Sequence, residues 1–168
     1  MKIYNITIHR NCNYGSVLQT YATQKTFEDL QFECETIDFV RQLDTKSGAL
    51  KRLKNKSKRL SKNPILLCVA KAVMLISYIK KEKTFNAFLN KYINLNSESY
   101  YSNEELKKKL PKVDAYCTGS DQIWNSFWNE GVEPAYYLDF VPDNAFCFSY
   151  ASILCMICHS KQNLSKLI

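Results

Sequence analysis

From Thr45 to Lys81 the chain contains no acidic residue. Eleven Lys and Arg fall in that stretch, while the remainder holds twelve basic and sixteen acidic residues and is mildly acidic. The net charge of +7 therefore belongs to one segment, not to the whole fold. Aromatic residues are not interleaved with these charges and no recognition motif accompanies them, so nucleic acid is not an expected partner. A long apolar run is missing too. Ile65 to Ile79 is apolar but interrupted by Lys71 and Ser77, too short and too polar to span a bilayer comfortably. Met1 to His9 alternates like a strand and carries polar residues where an apolar leader core would be needed, so no signal peptide is expected there. The dinucleotide fingerprint is absent as well, with two of its three glycines missing after the first strand. Asp38 stands where a ribose-binding acid would stand, but without those glycines that reading is set aside.

What is present bounds the class. At 168 residues with 46% apolar content, one folded domain with a real core is expected. The seven cysteines (12, 34, 68, 117, 147, 155 and 158) are odd in number and mostly isolated. They read as reduced thiols of a cytoplasmic protein, several buried as small hydrophobes. Cys155-Met156-Ile157-Cys158-His159 matches the spacing of a c-type haem attachment site. With no export signal and no second Cys/His cluster, an accidental pattern in a divergent tail is the better reading, and neither metal nor cofactor is expected.

The order of elements points to an α/β domain. Lys2 to Ile8 reads as a strand, about Ser16 to Leu30 as a helix that Ser16 either caps or joins, and Phe32 to Phe39 as a second strand. Strand–helix–strand implies a parallel pair. Val40 to Lys62 reads as a loop and a basic helix, followed by helices over Ile65 to Ile79 and Lys83 to Tyr92. Ser102-x-x-Glu105 is a capping box opening a helix to Leu110. Val113 to Cys117 is the next strand and Thr118 to Trp124 the loop at its end. Tyr136 to Phe140 and Phe146 to Ala151 are further extended pieces. The expected fold is a Rossmann-like parallel sheet with helices on both faces over 1–152, with a basic helical insertion at 41–95 and a divergent tail at 153–168.

Two turns carry the candidate chemistry. Asn13-Tyr14-Gly15-Ser16-Val17-Leu18-Gln19 follows the first strand. Glycine there lets backbone approach a ligand, and the helix's first N–H groups attract an anion. Asn13, Ser16 and Gln19 offer side-chain hydrogen bonds; a plain capped turn explains the same residues. Thr118-Gly119-Ser120-Asp121-Gln122-Ile123-Trp124 follows the later strand. Asp121 offers a base or an acceptor for a sugar hydroxyl, and Trp124 a flat face for a sugar ring. The alternative is that Asp121 caps a helix and Trp124 packs inside. His9, at the end of the first strand, is a candidate acid, base or phosphate ligand facing the cleft.

The pairing of N-Y-G-S-V-L-Q-T-Y-A with T-G-S-D-Q-I-W-N resembles the polysaccharide pyruvyl transferase family. T-F-N-A-F-L-N-K-Y-I-N-L, Y-Y-L-D-F-V and F-S-Y-A-S resemble it too, in order, up to about Ser152. The resemblance implies the N-terminal half of a fold like the B-type glycosyltransferases. It implies transfer of pyruvyl from phosphoenolpyruvate to a sugar of an exopolysaccharide or cell-wall precursor, in the cytoplasm. On that resemblance Asn13, Gly15, Ser16, Gln19, Gly119, Ser120, Gln122 and Trp124 line the acceptor side, with Asp121 nearest the reacting hydroxyl. The partners implied are a sugar or lipid-linked saccharide acceptor and phosphoenolpyruvate. The chain is about half the family's length. After Ser152 it departs from the family pattern, as a truncated or frame-disrupted reading frame would, or a genuinely divergent half-protein. Gln31 stands where the family favours glycine. A non-catalytic remnant, or a sugar- or nucleotide-binding domain, would share the turns. Separately, Lys51, Arg52, Lys54, Lys56, Lys58 and Arg59 offer a peripheral contact with a membrane surface or another polyanion; a solvated helical face is the plainer account.

Overall fold

The computed structural model describes residues 1–56, 64–127 and 129–152. The tail expected from 153 onward, with its Cys155 to His159 pattern, the basic residues Lys58 and Arg59, and the side chains of Arg52, Lys54 and Lys56 lie outside the described residues.

Five strands form one sheet in the order β3-β2-β1-β4-β5, and every pairing is parallel. The strands are β1 (Lys2–Ile6), β2 (Glu33–Phe39), β3 (Leu95–Tyr100), β4 (Ala115–Asp121) and β5 (Phe146–Ser152). The helices are α1 (Tyr14–Asp29), α2 (Lys46–Lys56), α3 (Pro64–Tyr92) and α4 (Asn103–Lys109). This is an α/β Rossmann-like architecture, as the element order predicts.

β1 lies at the centre because its residues alternate between two buried faces. Ile3 joins Phe27 of α1 with Cys34, Ala115 and Cys117. Tyr4, Ile6 and Ile8 join a larger cluster with Ile37, Phe39, Tyr100, Leu106 of α4, Ile123, Tyr136 and Phe140. A strand buried on both sides is what a central parallel strand requires. The C-terminal half of α3 is fastened to α1 through Phe85, Leu89 and Ile93 against Val17.

Four expectations are corrected. The apolar segments at 65–79 and 83–92 form one continuous helix, since nothing between them breaks it. Leu95–Tyr100 is an edge strand that the sequence reading left out; it has little apolar alternation to announce it. Tyr136 to Phe140 is not a strand. Pro134–Tyr137 is a 3₁₀ turn, and Leu138 follows with φ 60°, a left-handed conformation that stops extension. The segment Thr118 to Trp124 is not all loop, because β4 continues to Asp121 by pairing with β5. Half of the capping box forms: the Ser102 hydroxyl accepts the Glu105 N–H at 3.2 Å, while Glu105 reaches back one residue further, to the N–H of Tyr101 at 2.8 Å.

Candidate functional site

The paired part of β1 ends at Ile6, opposite Thr118 of β4. From β1 the strand order grows one way through β2 and β3, and the other way through β4 and β5. The order therefore reverses between β1 and β4. The chain also leaves these two strands toward opposite faces: α1 brings Phe27 to one, while Ile123 and Trp124 pack on the other. A crevice at the carboxyl ends of two such strands is the customary ligand position in open α/β sheets.

On the β1 side the turn is knit together from within. Asn13, in extended backbone, caps α1; its side-chain oxygen accepts the N–H groups of Gly15 at 2.8 Å and Ser16 at 3.4 Å. Asn13, not Ser16, is thus the cap. Ser16 is buried in the first turn, where its hydroxyl accepts from Asn11 Nδ2 at 3.0 Å. Gly15 is exposed, and a Cβ there would stand 3.2 Å from the Asn13 oxygen. Gln19, a turn further, is half-buried.

On the β4 side the glycine has a backbone reason. Gly119 adopts φ 152°, and a Cβ there would stand 2.0 Å from the carbonyl oxygen of Tyr150 on β5. Only glycine permits that approach. The side chains of Ser120 and Asp121 lie outside the described residues. The Gln122 side-chain oxygen accepts from Asn125 Nδ2 at 2.9 Å. Trp124 donates its indole N–H to the Tyr136 carbonyl at 2.9 Å and stacks on Tyr137, with centroids 5.8 Å apart. It is a half-buried anchor of the larger core cluster.

His9 does not present itself to solvent. Its side chain is fully buried, with Nε2 3.0 Å from Asp38 Oδ1 and Nδ1 3.1 Å from the Thr7 carbonyl. Both ring nitrogens face oxygen acceptors, so the ring offers no atom to a substrate. Asp38 in turn takes Arg10 in a fork, Nε at 2.7 Å and Nη2 at 2.6 Å, and the Ser99 hydroxyl at 2.5 Å. Arg10 is tied further to Asn86 of α3 at 2.9 Å. Burial pushes the Asp38 carboxyl up, but the hydrogen bonds from His9, Arg10 and Ser99 outweigh it and hold the group well below the usual carboxylate range. A carboxylate so occupied is a structural keystone, which disposes of a ribose-binding role.

That cluster forms one wall of a cavity of about 420 Å³ beneath α2 and α3. Arg10, Lys46, Ser47, Tyr78, Ser99 and Tyr101 give it polar groups, and Val40, Phe85 and Leu89 an apolar lining. The Thr45 hydroxyl accepts the Gly48 N–H at 3.1 Å and so caps α2 at its rim. Of the sequence-predicted residues only His9 belongs to this wall. Asn13, Gly15 and Gln19 lie instead at the start of α1, and Gly119 and Trp124 in and just after β4. The sequence reading missed Arg10, Asn86 and Ser99. The basic–acid pair Arg10 and Asp38 was the one signal available, and it links residues 28 apart. Among the described residues no group of three His, Cys, Asp or Glu is placed to hold a metal ion.

The fold defines a parallel-sheet α/β domain whose strand order reverses between β1 and β4. No protein-family model, no curated protein and no solved structure matches the chain.

Proposed function

We propose that this chain is the acceptor-side half of an enzyme like the polysaccharide pyruvyl transferases, acting on a sugar of an exopolysaccharide or cell-wall precursor. One observation carries the reading. The two motif-bearing segments, N-Y-G-S-V-L-Q and T-G-S-D-Q-I-W-N, leave the carboxyl ends of adjacent parallel strands where the strand order reverses. Two segments about a hundred residues apart thus share one rim, as the N-terminal half of a B-type glycosyltransferase-like fold would need.

In the reaction, two sugar hydroxyls add to C2 of the enolpyruvyl unit. The C2–O bond to phosphate breaks, the methylene carbon gains a proton to become methyl, and inorganic phosphate leaves with the other hydroxyl proton. The contribution of this half is to hold the acceptor diol. Gln19 and Gln122 supply hydrogen bonds, Trp124 a flat face at the edge, and Asp121 the polar contact at a reacting hydroxyl. Asn13, Gly15, Ser16, Gly119 and Ser120 shape the backbone around them.

Thermal-shift measurements with nucleotide sugars, plain nucleotides and phosphoenolpyruvate test this. A ligand at about 100 times its Kd stabilises the native state by ~2.7 kcal/mol, a rise in Tm of about 5 °C or more for a chain of this size. We expect a nucleotide sugar to give such a rise and a plain nucleotide to give less. Gln19→Ala with Gln122→Ala should cancel the rise, and because the hydrogen bond from Asn125 is lost with Gln122 the unliganded Tm should fall by about 2–4 °C. Equal rises with nucleotide and nucleotide sugar would point instead to a nucleotide-binding domain. No rise with any saccharide, and no ketal formed from phosphoenolpyruvate, would leave a non-catalytic remnant.

A further inference from the structure

α3 is held along one side: α2 packs against it and Tyr78 donates its hydroxyl to the Asp44 carbonyl. Phe85, Leu89 and Ile93 hold its C-terminal end in the core. Its first four turns carry two apolar sides. Leu67, Ala70, Met74 and Tyr78 are half-buried on one. On the other, Ile65, Val69, Val73 and Ile76 recur at i, i+4, i+8 and i+11 and are 76%, 56%, 63% and 70% exposed. Cys68, Leu75 and Ile79 flank that stripe and are exposed too. An ordinary surface helix turns its polar side to water. Here an apolar stripe about 22 Å long faces outward. A contiguous exposed apolar patch of this kind marks an interaction surface.

The charge around the stripe selects the partner. Lys51 on α2, and Lys80 and Lys81 at the end of the stripe, are exposed. They belong to the stretch with eleven basic residues and no acid. Two copies meeting through this face would bring their exposed lysines together, and like charges brought together across an interface are costly. An anionic bilayer answers both features: its acyl boundary takes the apolar stripe and its phosphates take the lysines. Among the described residues no helix is long and apolar enough to cross a membrane.

We propose that the outer side of α3, from Ile65 to Ile79, seats the protein on the surface of an anionic lipid bilayer and lies along it. The proposal is independent of the pyruvyl-transfer reading. The test is flotation of the full chain with vesicles of phosphatidylcholine alone, and with vesicles of phosphatidylcholine and phosphatidylglycerol in roughly equal parts. The chain should float with the anionic vesicles and stay behind with the neutral ones. Val73→Asp with Ile76→Asp should weaken the association about tenfold or more, because two buried aliphatic side chains are lost. Lys80→Glu with Lys81→Glu should weaken it by a similar factor, and added salt should imitate that loss. All four positions are exposed, so an unchanged thermal melt is expected of both variants. Failure of the wild-type chain to float with anionic vesicles overturns the proposal. So does undiminished flotation of the Val73→Asp, Ile76→Asp variant. A dimer in sedimentation velocity that this same variant dissolves would show that a second copy covers the stripe, and would overturn it equally.

Discussion

At the scale of single residues, the Asp38 carboxylate organises more of this protein than any predicted site residue. It is nearly fully buried, and it draws donors from the β1 exit and from β3, with α3 reached through Arg10. His9 and Asp38 each drew attention in the sequence for separate reasons, one as an acid–base candidate and one as a ribose ligand. Nothing local couples residues 29 apart; only the side-by-side placement of β1 and β2 does. The coupling has a pH signature. A carboxylate whose pKa is depressed by folding stabilises the native state above its unfolded value, near 3.9. That contribution fades as pH falls through the lower folded value. Replacing Asp38 by Asn leaves Arg10 and His9 facing an amide, and breaking such a buried pair costs about 3–5 kcal/mol at neutral pH. Urea unfolding of Asp38→Asn should show that loss at pH 7. Below about pH 4 its stability should fall less steeply with pH than that of the wild type.

At the scale of elements, what the sequence announced and what it hid divide along burial. β1, β2 and α1 were legible because Ile3, Ile6 and Ile37 mark buried strand positions and the polar residues before Tyr14 mark a helix start. β3 was not, because Leu95-Asn96-Ser97-Glu98-Ser99-Tyr100 is an edge strand whose middle residues face water. The far end of β4 was read as a loop, since a glycine among polar residues looks like a turn; only its pairing with β5 makes it a strand. Tyr136 to Phe140 misled in the opposite sense, with aromatics that suit a strand but serve a 3₁₀ turn packed on the core. The end of α1 yields a prediction. Gln31 adopts φ 64°, while Phe32 N–H donates to the Phe27 carbonyl and Gln31 N–H to that of Glu28, both at 2.9 Å. That is a Schellman stop with glutamine in the left-handed position where glycine is ordinarily found. The left-handed backbone costs a non-glycine residue about 1–2 kcal/mol, part of which glycine gives back as unfolded-chain entropy. Gln31→Gly should therefore stabilise the protein by roughly 0.5–1 kcal/mol, visible as a higher urea midpoint with an unchanged slope.

At the scale of the whole molecule, the order of elements was enough to predict a parallel sheet, and two turn motifs were enough to bring distant segments to one rim. The switch point between β1 and β4 follows from topology, whereas the cavity beneath α2 and α3 was not legible, because its lining comes from segments far apart in the sequence. The sheet also sets how the molecule opens. Cys34 and Cys117 sit on the two strands flanking β1, in one buried cluster with Ile3 and Phe27. Burial pushes both thiols up to about 12, so the reactive thiolate is scarce at neutral pH even before access is considered. Cys68 and Cys147 are exposed. Iodoacetamide labelling followed by peptide mass mapping should modify Cys68 and Cys147 first, and Cys34 and Cys117 only through global opening of the sheet. If so, Cys34 and Cys117 must react at one common rate, and Gln31→Gly must slow both about two- to fivefold, because 0.5–1 kcal/mol of added stability lowers the open population by that factor. Rates that differ between the two thiols, or a Gln31→Gly variant that slows only one, would mean that the sheet opens at one side before the other.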